Sequence, residues 1–147
     1  RKYYSNLENP DVYFEVENLV AIDQLARRYP DLEDAIDKDN IEKFIKIVRE
    51  YGWQQNGWVL LWHHRDTYKQ DNEVWNFFTP FFEKEIEKGN LPKGFLSWYE
   101  DYASREKTGF TIYGAMPGKV NKETVNVKRK EINLKPLTEE QINEKNK

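Results

Sequence analysis

Asn72-Glu73-Val74-Trp75-Asn76-Phe77-Phe78-Thr79-Pro80-Phe81-Phe82-Glu83-Lys84-Glu85-Ile86 is the stretch that decides the fold class. Val74, Trp75, Phe77, Phe78, Phe81, Phe82 and Ile86 fall at helical and not strand spacing. Asp71 or Asn72 is placed to cap its start, and Gly89 to end it. Pro80 falls inside the pattern and is expected to kink or split the helix. The aromatic run could also serve as a stacking platform for sugars or bases. At helical spacing the plainer expectation is core.

The same periodicity extends on both sides. Upstream, Gly57 to about Tyr68 reads as a helix whose first part, Trp58 to Trp62, is apolar all round and therefore central. Before it, Asp39 and Glu42 stand in capping-box spacing ahead of Ile41, Phe44, Ile45 and Val48, with Gly52 at the end. Asp31 to Lys38 reads as a polar link. The first helix opens at Asn9-Pro10, carries Val12, Val16, Leu19, Val20 and Ala26, and ends near Pro30. Downstream, a fifth helix follows Pro92 with Phe95, Leu96, Trp98, Tyr99, Tyr102 and Ala103, and Gly109 closes it. Phe110 to Tyr113 then reads as a strand, Pro117-Gly118 as a turn, and Lys119-Val120 as a return strand. Asn121 caps a short helix through Ile132, and Thr138 and Gln141 stand in capping positions of a last one. The predicted architecture is mainly α, with five to seven packed helices and a small two-stranded β-hairpin near residues 110–120. It is read as one domain over 1–147, with a tail frayed from about residue 143. No internal repeat or inter-domain linker is visible.

Composition narrows the function classes. The chain has 147 residues, a net charge of −3, 22 aromatic residues and no cysteine. Nucleic-acid binding is not expected of so weakly charged a domain. Disulfides, thiolate metal sites and cysteine nucleophiles are excluded. No apolar run approaches the roughly 18 residues of a membrane span. The chain begins at Arg1, which suggests that something upstream was removed. A periplasmic or secreted location fits that, a cytoplasmic one is equally open, and oligomeric state is undetermined.

Polar groups where the period demands apolar ones carry the functional signal. With about 100° per residue, Asp23 lies about 20° from Val12 and Val16, inside the apolar stripe of the first helix. An isolated carboxylate there is costly, so it needs a partner or a wet cleft. Arg27, one turn on, is close enough to pair with it. The pair is either a packing strut or the wall of a cleft. His63 and His64 are adjacent and point about 100° apart, so they cannot share one ion. His64 falls on the face of Leu60, Leu61 and Tyr68, and is either a core histidine bonded to a carbonyl or a proton carrier. His63, Arg65 and Asp66 look ordinary. Asp101 lies at the edge of its stripe with Arg105 four residues on, which reads as an exposed ion pair. No phosphate-binding glycine loop, metalloprotease helix motif or nucleophile elbow is present.

In order along the chain stand Asp23-Gln24 with Arg27, Asn40, Gly52-Trp53, Gly57, His63-His64-Arg65-Asp66, Tyr99-Glu100-Asp101, Gly109 and Tyr113-Gly114. This order resembles a bacterial family of unknown function. Its motifs are Asp-Gln-x-x-Arg, Gly-Trp, Gln-His-x-Asp, Asp-Arg and Tyr-Gly-Thr-Gln, and the likeness covers about residues 15–137. Asp23, Gln24, Arg27, Gly52, Trp53, His64, Asp66, Asp101, Tyr113 and Gly114 match it. His63, Tyr102, Ala115 and Met116 stand where the family has Gln, Arg, Thr and Gln, and the last two remove polar groups. The resemblance implies a site map and no reaction.

Two functions follow. One is a hydrolase-like or ligand-binding cleft, with Asp23, His64 and Asp101 as its catalytic groups. In it Arg27 orients Asp23 or binds an anion, Tyr113 donates a hydrogen bond, and Gln24 and Trp53 contact the substrate as matched motif residues. A small molecule or peptide would be the ligand. No cofactor is expected, and a metal on Asp23, His64 and Asp101 has no spacing signature behind it. The other is a non-catalytic protein- or peptide-interaction module in which Asp23–Arg27 is a structural ion pair.

Overall fold

The computed structural model describes residues 9–147, and among them are seven α-helices and two short strands. The described residues divide into two compact units, 9–90 and 91–147. The first holds helices α1 (Pro10–Ala26), α2 (Pro30–Tyr51), α3 (Trp58–Trp62) and α4 (Glu73–Glu87). None of the described helices is long and apolar enough to cross a membrane.

In the first unit Pro10 and Pro30 each occupy a first-turn position, where a missing N–H costs nothing. Pro30 therefore starts α2 as well as ending the helix before it. The segment 31–38, expected as a link, is helical, because Asp31 and Glu33 favour a first turn. Asn40 is buried and donates from Nδ2 to the Leu19 carbonyl at 3.2 Å, tying α2 to α1. The expected helix from Gly57 to Tyr68 is shorter than predicted. It stops at Trp62, and a 3-10 turn follows at Arg65–Thr67. Helix α4 starts on the predicted cap, with Asn72 Oδ1 accepting the Trp75 N–H at 2.9 Å, and continues through Pro80 without splitting.

The core of this unit is built from Val12, Val16 and Leu19 of α1, Phe44, Ile45 and Val48 of α2, Leu60 and Leu61 of α3, and Trp75, Phe78 and Phe82 of α4. The aromatic run is thus core, as its spacing implied. Trp53 lies in it too, with ring centroids 5.6 Å from Phe44 and 5.1 Å from Phe82. Gly57 marks the tightest approach. A Cβ there would stand 2.5 Å from Phe44 Cε1 and 2.8 Å from Val16 Cγ1. Both neighbours are fully buried, so neither can give way. Gly57→Ala is expected to lose about 1–3 kcal/mol, the usual cost of overpacking. Urea denaturation measures it, and an unchanged midpoint would show that the packing yields.

The second unit holds α5 (Ser97–Thr108), β1 (Phe110–Thr111), β2 (Lys119–Val120), α6 (Val125–Glu131) and α7 (Glu139–Lys145). Gly109 ends α5 in the left-handed conformation, as expected of a glycine there. The predicted hairpin is corrected: β1 and β2 run parallel, with Phe110 opposite Lys119 and Thr111 opposite Val120. The reason lies in residues 112–116, which coil around Asp101 instead of reversing in a tight turn. A small core of Val120, Val125 and Ile142, with Leu137 against it, sits below. Thr138 and Gln141 form a full capping box. Helix α7 runs to Lys145, past the expected onset of fraying, and Asn146 Oδ1 accepts the Val120 N–H at 2.8 Å.

Candidate functional site

Asp23 is 1% exposed, near the end of α1. A carboxylate so deep must have its oxygens used, and they are. Oδ2 accepts from Gln24 Nε2 at 2.7 Å. Oδ1 lies 3.3 Å from a terminal nitrogen of Arg27 and 2.9 Å from Nε2 of His63. The expected Asp23–Arg27 pair is therefore present, and His63 joins it.

Arg27 is a hub. Its Nε donates to the Asp23 carbonyl at 3.1 Å, and one terminal nitrogen lies 3.2 Å from Glu33 Oε1. The other terminal nitrogen contacts both Asp37 and Asp23. Glu33 and Asp37 sit one turn apart on α2, so one guanidinium ties the end of α1 to the first turns of α2. Burial disfavours its charge, but the hydrogen bond and charge of Asp37, with Asp23 and Glu33, outweigh that and raise its pKa.

His63 and His64 follow directly on α3. The turn that carries them is fixed from the core, because Trp75 Nε1 donates to the His64 carbonyl at 3.0 Å. Both imidazoles line a cleft of about 380 Å³, together with Asp37, Thr67, Asn72 and Glu73. Burial lowers the His64 pKa below the ordinary histidine value. Asp37 partly opposes this and His63 adds to it. Nε2 of His64 is buried without a hydrogen-bond partner. The same holds for Nε2 of His63, which lies 2.9 Å from Asp23 Oδ1.

Three expectations change. The imidazole against Asp23 is that of His63, read from sequence as ordinary, while His64 stands beside it on the cleft wall. Helical angles counted through residue 68 misplace both, since α3 ends at Trp62. Glu33 and Asp37 were hidden in the supposed link, and their i, i+4 spacing behind a first-turn proline was the available signal. Asp101 is not an exposed ion pair. It is fully buried in the second unit, and its two oxygens accept the N–H groups of Ile112, Tyr113, Ala115 and Met116 at 2.7–3.1 Å. Arg105 turns instead to the Pro117 carbonyl.

The remaining candidates separate in the same way. Gln24 is at the cluster, through Asp23. Trp53 is a core residue whose Nε1 donates to Gln55 Oε1. Tyr113 belongs to the second unit and donates its hydroxyl to Glu100 at 2.9 Å. Burial, then that hydrogen bond, raises its pKa. Asp66 is exposed. No family model, curated protein or solved structure matches the chain.

Proposed function

We propose that the first unit carries a small-molecule cleft with hydrolase-like chemistry, centred on His63 and Asp23. The carrying observation is the 2.9 Å contact between His63 Nε2 and the oxygen of a buried carboxylate, on an imidazole that also lines the cleft. A carboxylate set against an imidazole is an arrangement found in many sites that move protons. His64, kept neutral by burial, adds a second nitrogen to the same wall. Asp37 and Glu73 make the wall acidic, which favours a neutral or cationic ligand over an anion. Arg27 is already engaged by three carboxylates, so in this reading it positions Asp23 and does not meet the ligand.

Asp101 and Tyr113 have no part in this chemistry. Their polar atoms are used in organising the 112–116 segment of the second unit. The resemblance to the bacterial family is kept only for Asp23, Gln24, Arg27 and His64, which lie at or beside the cluster.

The test is a panel of esters, amides and phosphoesters offered to the wild-type chain and to His63→Gln. Turnover by the wild type and a loss of about 10²–10⁴-fold in the variant are expected. No turnover of any substrate, or turnover indifferent to His63, would leave the cleft without this role. The interaction-module alternative would then stand, with the Arg27 network as the strut between α1 and α2.

A further inference from the structure

We propose that Asp23, Asp37 and His63 form a binding site for one divalent transition-metal ion at the base of the cleft. The inference rests on the reading of that cleft as the functional site and names the ion it would use. One carboxylate oxygen from each aspartate and one nitrogen of His63 all lie within 4.8 Å of one another. Donors around a common ion at about 2.0–2.2 Å stand about 3–4 Å apart, so closing the set takes a shift of about an ångström.

The acids alone would not make a site. The independent observation is His63. Its Nε2 is buried and 2.9 Å from Asp23 Oδ1, yet no hydrogen bond lines up on it. Two ligands of one ion lie side by side at about this distance, and a buried ring nitrogen with no hydrogen bond is free to serve as one of them.

Charge points the same way. Asp23, Glu33 and Asp37 face Arg27, so three carboxylates meet one guanidinium and two negative charges are left over. A divalent cation neutralises them. Arg27 is then a built-in competitor, because one of its terminal nitrogens contacts both aspartates. The guanidinium is planar and rigid, so it has to swing away from both aspartates as a unit. Its side chain is 29% exposed, so it has room to move. One imidazole and two carboxylates suit Zn²⁺, Mn²⁺ or Ni²⁺ better than Ca²⁺ or Mg²⁺, which prefer oxygen alone. Three protein ligands leave further coordination positions, and His63 and Asp37 both face the cleft.

The experiment titrates the chelator-stripped chain with Zn²⁺ and, separately, Mn²⁺, by calorimetry at neutral pH, and reads Co²⁺ substitution by its visible absorption. One equivalent bound is expected. His63→Gln and Asp37→Asn should each weaken it by at least about tenfold, and Arg27→Gln should tighten it by removing the competing cation. Thermal melts show which variants are folded. Asp37 is 17% exposed, so Asp37→Asn carries the test if His63→Gln does not fold. No binding to the native chain, or binding indifferent to the ligand substitutions, overturns the proposal. The substrate panel is read separately with and without chelator. Turnover that depends on His63 but survives chelation would remove the ion and keep the cleft.

Discussion

Asp101→Asn is expected to lose about 3–5 kcal/mol of stability, the largest effect of any single polar substitution in the second unit. The wild-type carboxylate is fully buried and accepts four backbone N–H groups, two on each oxygen. Hydrogen bonds to a charged acceptor are roughly twice as strong as neutral ones. The amide keeps the shape but turns one oxygen into a donor. Two N–H groups of residues 112–116 then face an NH₂, and each buried donor left without an acceptor costs about 1–3 kcal/mol. Urea denaturation reads the loss, and amide exchange should rise first at Ile112, Tyr113, Ala115 and Met116. A variant within about 1 kcal/mol of wild type, with those amides still protected, would mean that the carboxylate does not hold the segment.

Asp23→Ala comes next, with an expected loss of about 3 kcal/mol. The side chain is 1% exposed, and its removal deprives Arg27 and Gln24 of a shared acceptor and His63 of the carboxylate beside it. Arg27 keeps Glu33 and Asp37, which holds the loss near the lower end for a broken buried pair. Asp23→Asn should recover part of it, because one oxygen can still accept from Arg27 while the exposed Gln24 amide rotates. The order wild type, Asn, Ala in denaturation midpoint is the expected result. Equal midpoints for all three would show that the network stabilises nothing and that the buried charge serves only the cleft.

Local chemistry was readable wherever a residue acts on its own helix. Asn72, Gly109 and the Thr138–Gln141 box do as caps what their positions announced, because a cap bonds within three or four residues of itself. The apolar period of α4 placed Trp75, Phe78 and Phe82 in the core for the same reason. Asp23 was found by its conflict with the stripe around it, and Arg27 by one-turn spacing.

Residues whose partners are distant in the chain were misread. Glu33 and Asp37 show no apolar period, and only the position of Arg27 at the end of α1 gives their turn of helix a purpose. His63 could not be told from His64 while α3 was counted too long. The turn beyond its end is held by Trp75, which donates to the His64 carbonyl across 11 residues. Asp101 looked like half of an i, i+4 ion pair, since nothing near it in sequence reveals that residues 112–116 coil back onto its oxygens.

The amino-acid order alone thus determined that the chain is mainly helical, where most helices begin and end, and that Asp23 breaks an apolar face. Periodicity, capping and side-chain polarity act over one or two turns and need no tertiary partner. The tertiary structure decided which imidazole meets Asp23, which acids surround Arg27, and that β1 and β2 run parallel. Those outcomes depend on burial, because a charge or an N–H group taken out of water binds whichever complementary group the packed chain brings within reach.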